Sequence, residues 1–225
     1  MEHAKAISCP LANHFQFSSK QSPSSDEERE EMDKVPHALA VGSLLYAMVS
    51  TRPNIAHVVG VVSQFLSNPG REYWTAMKYI LRYFCGTSRL CLYFGSSEPM
   101  LFGYTDADMA GDVDSIKFTS GYLLIFAGEA MSWQSRLQKC VALFTTEAKF
   151  IATTKICKEL LWMKKFLNKL RLQQEKYQLF CYSQSAIHLR KNVSFHLRSK
   201  YINVRYHWIR NILETKQLPL EKIHT

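Results

Sequence analysis

Met100-Leu101-Phe102-Gly103-Tyr104-Thr105-Asp106-Ala107-Asp108 is the stretch on which the reading of this chain turns. Met100–Thr105 is rich in aromatic and aliphatic residues and reads as a strand, with two carboxylates just beyond it. Phe118–Phe126 and Ala130–Gln134 have the same character and are set off by polar or Gly-containing turns, so the three segments predict an antiparallel meander. Thr145–Leu170 then reads as a long helix, because Ala148, Ala152, Ile156, Leu160, Met163, Leu167 and Leu170 form a stripe at three- and four-residue steps. Tyr177–Tyr182 reads as a short strand, Ser183–Lys191 and Arg198–Glu214 as helices, and Leu218–His224 as a closing strand. That order predicts an α/β fold in which a mixed sheet is flanked by helices.

Upstream the pattern differs. Residues 1–35 lack periodicity and contain the Ser-rich Phe17–Ser25 and the acidic run Asp26–Asp33, which reads as an extended or poorly ordered lead-in. Residues 36–95 predict three helices, Ala38–Val49, Pro53–Ser67 and Arg71–Cys85. Thr51 is placed to cap the second, with Pro53 in its first turn; Asn68-Pro69-Gly70 stops it, and Gly86 suits the end of the third. Residues 96–225 form the sheet-bearing domain.

Composition narrows the function classes. With 47% hydrophobic residues the 225-residue chain can bury a real core. Its longest nearly apolar run, about His37 to Val49, is too short to span a bilayer and too far in for a signal peptide, so no membrane partner is expected. Six scattered cysteines without a Cys-x-x-Cys pair indicate neither a zinc site nor a disulfide framework, and fit a reducing intracellular compartment, cytoplasmic or nuclear. The net charge of +9 is uneven: residues 149–225 hold 16 Lys/Arg against 4 Asp/Glu. Such a bias favours a polyanion, since neutralising phosphates releases condensed counterions; a solvated basic surface is the plainer alternative.

Specific blocks then align the chain with a family. Gly103–Asp108 with Ala110-Gly111-Asp112, Thr119-Ser120-Gly121-Tyr122, Ser132-Trp133-Gln134-Ser135, Gln138–Leu143, Thr145-Thr146-Glu147-Ala148, Ser183–Ile187 and Val204-Arg205-Tyr206-His207 resemble, in order, the ribonuclease H domain of copia-type LTR retrotransposon Pol polyproteins. Val41–Tyr46, Thr51–Ala56 and Leu81-Arg82-Tyr83 resemble the end of the reverse transcriptase that precedes it. No polymerase Tyr-x-Asp-Asp motif is present, which excludes polymerisation by these residues.

The resemblance implies a ribonuclease H-like sheet preceded by a small helical reverse-transcriptase connection segment. It also implies cleavage of the RNA strand of an RNA–DNA hybrid by two Mg²⁺ ions about 4 Å apart, one activating water and one stabilising the leaving oxygen. The hybrid is then the partner, with the reverse transcriptase domain as a second one. Among the family's carboxylates, Asp106 matches the first and Glu147 the second, and these two are the implied metal ligands and catalytic residues. The third position is Tyr182, whose phenol is a poor ligand for a hard cation at neutral pH. The fourth lies, in the family, beyond the strand ending at Ile223-His224-Thr225, so the domain reads as truncated at its C-terminus. Lys149 stands where the family has an acidic residue, Asn203 where it has Asp and Tyr201 where it has His. Lys149 also sets a positive charge near a helix N-terminus and removes the partner for a capping box with Thr146.

Plainer roles stay open beside these. Asp108, Asp112 and Asp114 read as turn or substrate-facing residues, and Glu147 alone could complement its helix N-terminus. His188, His196 and His207 read as surface or packing residues, His224 as either a terminal residue or an aid to product departure, and Trp133, Trp162 and Trp208 as core. Three functions follow: an active ribonuclease H, a silent module that binds nucleic acid or a reverse-transcriptase partner, and an inert product of a decayed element. Tyr182 and the absent fourth carboxylate favour a chain without cleavage activity.

Overall fold

A computed structural model describes the chain except for residues 1–3, 13–14, 16, 96, 109–113, 173–176, 182–207, 209–210, 213–217 and 223–225. It divides into two compact units, residues 1–92 with 110–117 and residues 93–109 with 118–225.

The first unit is helical. It holds Asp26–Asp33 (α1), His37–Thr51 (α2), Ala56–Val62 (α3) and Arg71–Gly86 (α4), of which α2, α3 and α4 pack about a core that includes Val41, Leu44, Ile55, Val62, Tyr73, Met77 and Ile80. The acidic run read as part of an extended lead-in is α1: Ser25 caps it by accepting the Glu28 N–H, and three acidic residues in its first turn complement the helix N-terminus. Phe17, in the same lead-in, is 4% exposed and packs against Phe65 and Tyr73. The helix expected over Pro53–Ser67 is instead α3 between two single-turn 3-10 segments, Pro53–Ile55 and Ser63–Phe65. Thr51 does not cap it; Thr51 is the last residue of α2, and Arg52 precedes Pro53.

The second unit holds the expected mixed sheet. Leu101–Asp108 (β1), Thr119–Phe126 (β2) and Glu129–Leu137 (β3) form the antiparallel meander. Tyr177–Cys181 (β4) lies parallel to β1, and Leu220–Lys222 (β5) parallel to β4, giving the order β3-β2-β1-β4-β5. Ala127 and Gly128, with φ of 52° and 89°, make the two-residue β2–β3 turn, where positive φ matches the strands' twist. Thr145–Lys169 (α5) covers the sheet through the expected stripe: Ala148, Ala152, Ile156, Leu160, Met163 and Leu167 are buried, and only Leu170, past the helix end, is exposed. Gly103 explains the close fit, because a Cβ there would meet Ile156 and Leu160 Cδ1 at 3.0 Å and Leu179 Cδ1 at 3.1 Å. The helix thus crosses β1 where even a methyl group would crowd the ends of these side chains. This is a ribonuclease H-like sheet, and its layout puts the C-terminal end of β1 beside the N-terminal end of α5. Among the described residues no helix is long and apolar enough to cross a membrane.

Candidate active site

The end of β1 carries Asp106 between buried Thr105 and buried Ala107, since alternate residues of a strand face opposite sides. Its Oδ1 accepts the N–H of Ala107 at 2.8 Å. The Nζ of Lys149 lies 3.4 Å from the same oxygen, with the lysine side chain 26% and the aspartate side chain 50% exposed. Lys149 reaches it from the second turn of α5.

Glu147 stands in the first turn of α5 and uses Oε2 to accept the N–H of Leu143 at 2.9 Å. A helix leaves its first N–H groups without intrahelical acceptors, and a carboxylate at the third position commonly reaches back to supply one. The N-cap is Phe144, whose side chain makes no capping bond. Thr146 is not the N-cap, because the helix starts two residues earlier than its capping position would require, and Glu147 is the residue that reaches back.

Gln138, the first residue of the Gln138–Leu143 block, anchors this corner, a role its place in the block does not reveal. Its side chain is 2% exposed, and Nε2 donates to Ser120 Oγ at 2.7 Å and to the Ala148 carbonyl at 2.9 Å, while its own N–H donates to Phe118 O at 2.8 Å. It ties β2 to the first turn of α5, next to Glu147. A Gln that follows a strand carries no periodic signal for burial, so its partners show only in three dimensions.

The described residues do not fit a two-cation centre. No three His, Cys, Asp or Glu side chains among them are grouped to hold a metal ion. One oxygen of Asp106 faces an ammonium, and one oxygen of Glu147 is given to a backbone N–H. Tyr182, expected at the third carboxylate position, lies outside the described residues, as do Asp112, His188, His196, Tyr201, Asn203, His207 and His224. Asp114 lies in a turn, as expected, and accepts from Ser18 Oγ at 2.8 Å and Ser19 N at 2.6 Å in the first unit; these bonds lower its pKa, the Ser19 N–H foremost.

A second feature lies along α5. Lys158, Leu161, Trp162 and Lys165 line, with Trp208, Asn211 and Ile212, a groove of about 410 Å³. Trp162, expected in the core, is 57% exposed and stacks on Phe166 at 5.5 Å. The reason is angular: it falls about 200° round the helix from Leu160 and so faces away from the buried stripe. Trp208 is half-buried, with Lys158 Nζ 5.4 Å from its ring centre. Trp133 is likewise only partly buried.

Known proteins agree with the sheet and the motifs. Over its whole length the chain is 57% identical to the retrovirus-related Pol polyprotein from transposon TNT 1-94 of Nicotiana tabacum. The chain belongs to the transposon Pol polyproteins. It spans 17% of the tobacco polyprotein's length. It is also 44% identical, over 59% of itself and 94% of the other protein, to the secreted RxLR effector protein 161 of Plasmopara viticola. No protein-family profile matches. Among solved structures, the foamy viral protease-reverse transcriptase in complex with an RNA/DNA hybrid shares the fold at a TM-score of 0.56 and 13% identity, covering 89% of this chain and 27% of its own.

Proposed function

We propose that this ribonuclease H-like segment of a Pol polyprotein does not cleave nucleic acid but holds it, an RNA–DNA hybrid being the ligand its ancestry implies. The observation that carries this reading is the state of the two family carboxylates. Asp106 is paired with Lys149, Glu147 is engaged by Leu143, and no third metal-ligating side chain joins them among the described residues. At the third family position the sequence has Tyr182. Losing one member of a catalytic set that acts as a unit commonly costs about ten-thousandfold or more, so activity should fall below detection.

Holding nucleic acid needs neither carboxylate. The charge excess of residues 149–225 and the groove on α5, with two lysines beside two indoles, supply what a sugar–phosphate backbone and an unstacked base require. The helical first unit carries the motifs of the reverse transcriptase end and is read as its remnant. The test uses the full chain and an end-labelled RNA–DNA hybrid in Mg²⁺. No cleavage is expected, together with binding that weakens steeply between about 50 and 200 mM salt. Turnover like that of an intact ribonuclease H, or binding indifferent to salt, overturns the reading.

A further inference from the structure

Lys149 is the one residue of the corner that the ancestral chemistry does not explain. It stands near the N-terminal end of α5, where the aligned peptide dipoles disfavour a positive charge. Its side chain is nonetheless three-quarters covered, and its Nζ lies 3.4 Å from Asp106 Oδ1. Among the described residues its one ion pair is the contact with Asp106, which itself projects half-exposed from the strand end.

We propose that Lys149 supplies from within the chain the positive charge that Asp106 would otherwise take from a divalent cation, closing this end of β1 to metal. This rests on the reading above that the site is not a working nuclease centre. The physical reason is like-charge exclusion. A hard cation binds carboxylate oxygen at about 2.1–2.6 Å, which would bring two positive charges close to the ammonium already beside Oδ1. In a partly covered site that repulsion is several times stronger than in bulk water. Glu147 by itself offers a single further carboxylate, one oxygen of which also accepts the Leu143 N–H, and one carboxylate is a weak site for a hard cation. A phosphate passing Asp106 then meets a neutral pair rather than a bare anion, and contact with the nucleic-acid backbone needs no metal to screen it.

The test is direct titration of the full chain with Mn²⁺, read by the loss of its free-ion paramagnetic resonance signal, so that it does not depend on catalysis. Four proteins are compared: the unaltered chain, Lys149→Glu, Lys149→Met, and Lys149→Glu combined with Asp106→Asn. The unaltered chain should show no saturable site. Lys149→Glu should gain one at least tenfold tighter than any residual binding, and the added Asp106→Asn should abolish it. Lys149→Met keeps the apolar stem and should show a weaker gain, which reads the same point if the glutamate variant folds poorly. A saturable Mn²⁺ site in the unaltered chain, or no gain in either single variant, overturns the proposal. Hybrid cleavage and hybrid binding are scored separately, so failure of the functional reading leaves a distinct signature from failure of the Lys149 assignment.

Discussion

The N–H of Leu143 donates to Oε2 of Glu147 at 2.9 Å, across the first turn of α5. The glutamate that the resemblance assigns to the second carboxylate position has a structural contact here, and the two roles separate experimentally. Glu147→Ala should destabilise the chain by about 1 kcal/mol, as loss of a capping acceptor does, in chemical denaturation. Unchanged stability would remove the structural role.

Gln138 predicts a larger effect. Its amide bonds Ser120 Oγ and the Ala148 carbonyl in a buried setting. Gln138→Ala should cost about 1–3 kcal/mol by leaving these groups unpaired, and Gln138→Leu, which restores volume but no hydrogen bond, should recover little. Both are checked by urea unfolding followed through the sheet's tryptophan Trp133.

His37 makes the helical unit acid-sensitive. It is 2% exposed, neither ring nitrogen has a partner, and burial lowers its pKa below the usual 6.5. Between the lowered value and 6.5 the unfolded chain binds a proton that the folded chain does not, so stability is full above 6.5 and declines as pH falls below it. His37→Leu should flatten that part of the pH–stability curve. An unchanged slope would exclude His37 as the source.

Thiol accessibility offers a test of the sheet itself. Cys9, Cys85, Cys91 and Cys140 are exposed, whereas Cys157 and Cys181 are buried, and burial raises the Cys157 thiol to about 12. A maleimide should label four thiols quickly in the native chain and the last two only on unfolding. Rapid labelling of six would mean that α5 does not cover β4.

The groove on α5 predicts a change in salt dependence. Replacing both Lys158 and Lys165 by Gln should weaken hybrid binding at low salt and reduce the slope of log affinity against log salt by about 2, one for each lost phosphate contact. Substituting Trp162, exposed and stacked on Phe166, should weaken binding without altering that slope.

Much of this was legible in residue order. The strands of the meander and the span of α5 follow from side-chain character and periodicity, because a strand repeats every two residues and a helix every 3.6, whereas the parallel pairing of β4 with β1 came from the structure. Asp106 and Glu147 were locatable from the motifs around them. The Asp26–Asp33 helix was not legible, since an acidic run has no apolar stripe, and its formation depends on a cap at Ser25 and on charge at the helix start. Trp162 was misassigned because an indole in a helix reads as core until its angle to the stripe is worked out.

Sequence by itself determined the family and, for the described elements from β1 to β5, their order, both of which are properties of chemical identity and spacing along one dimension. Tertiary structure alone decided that Lys149 meets Asp106, 43 positions away in the chain, that Glu147 turns back to Leu143, and that Gln138 joins β2 to α5. A charge or a hydrogen-bonding group carries no label for its partner. Which one it finds depends on how closely α5 settles onto β1, and that is set by the absence of a side chain at Gly103 and the packing of Ile156, Leu160 and Leu179 around it.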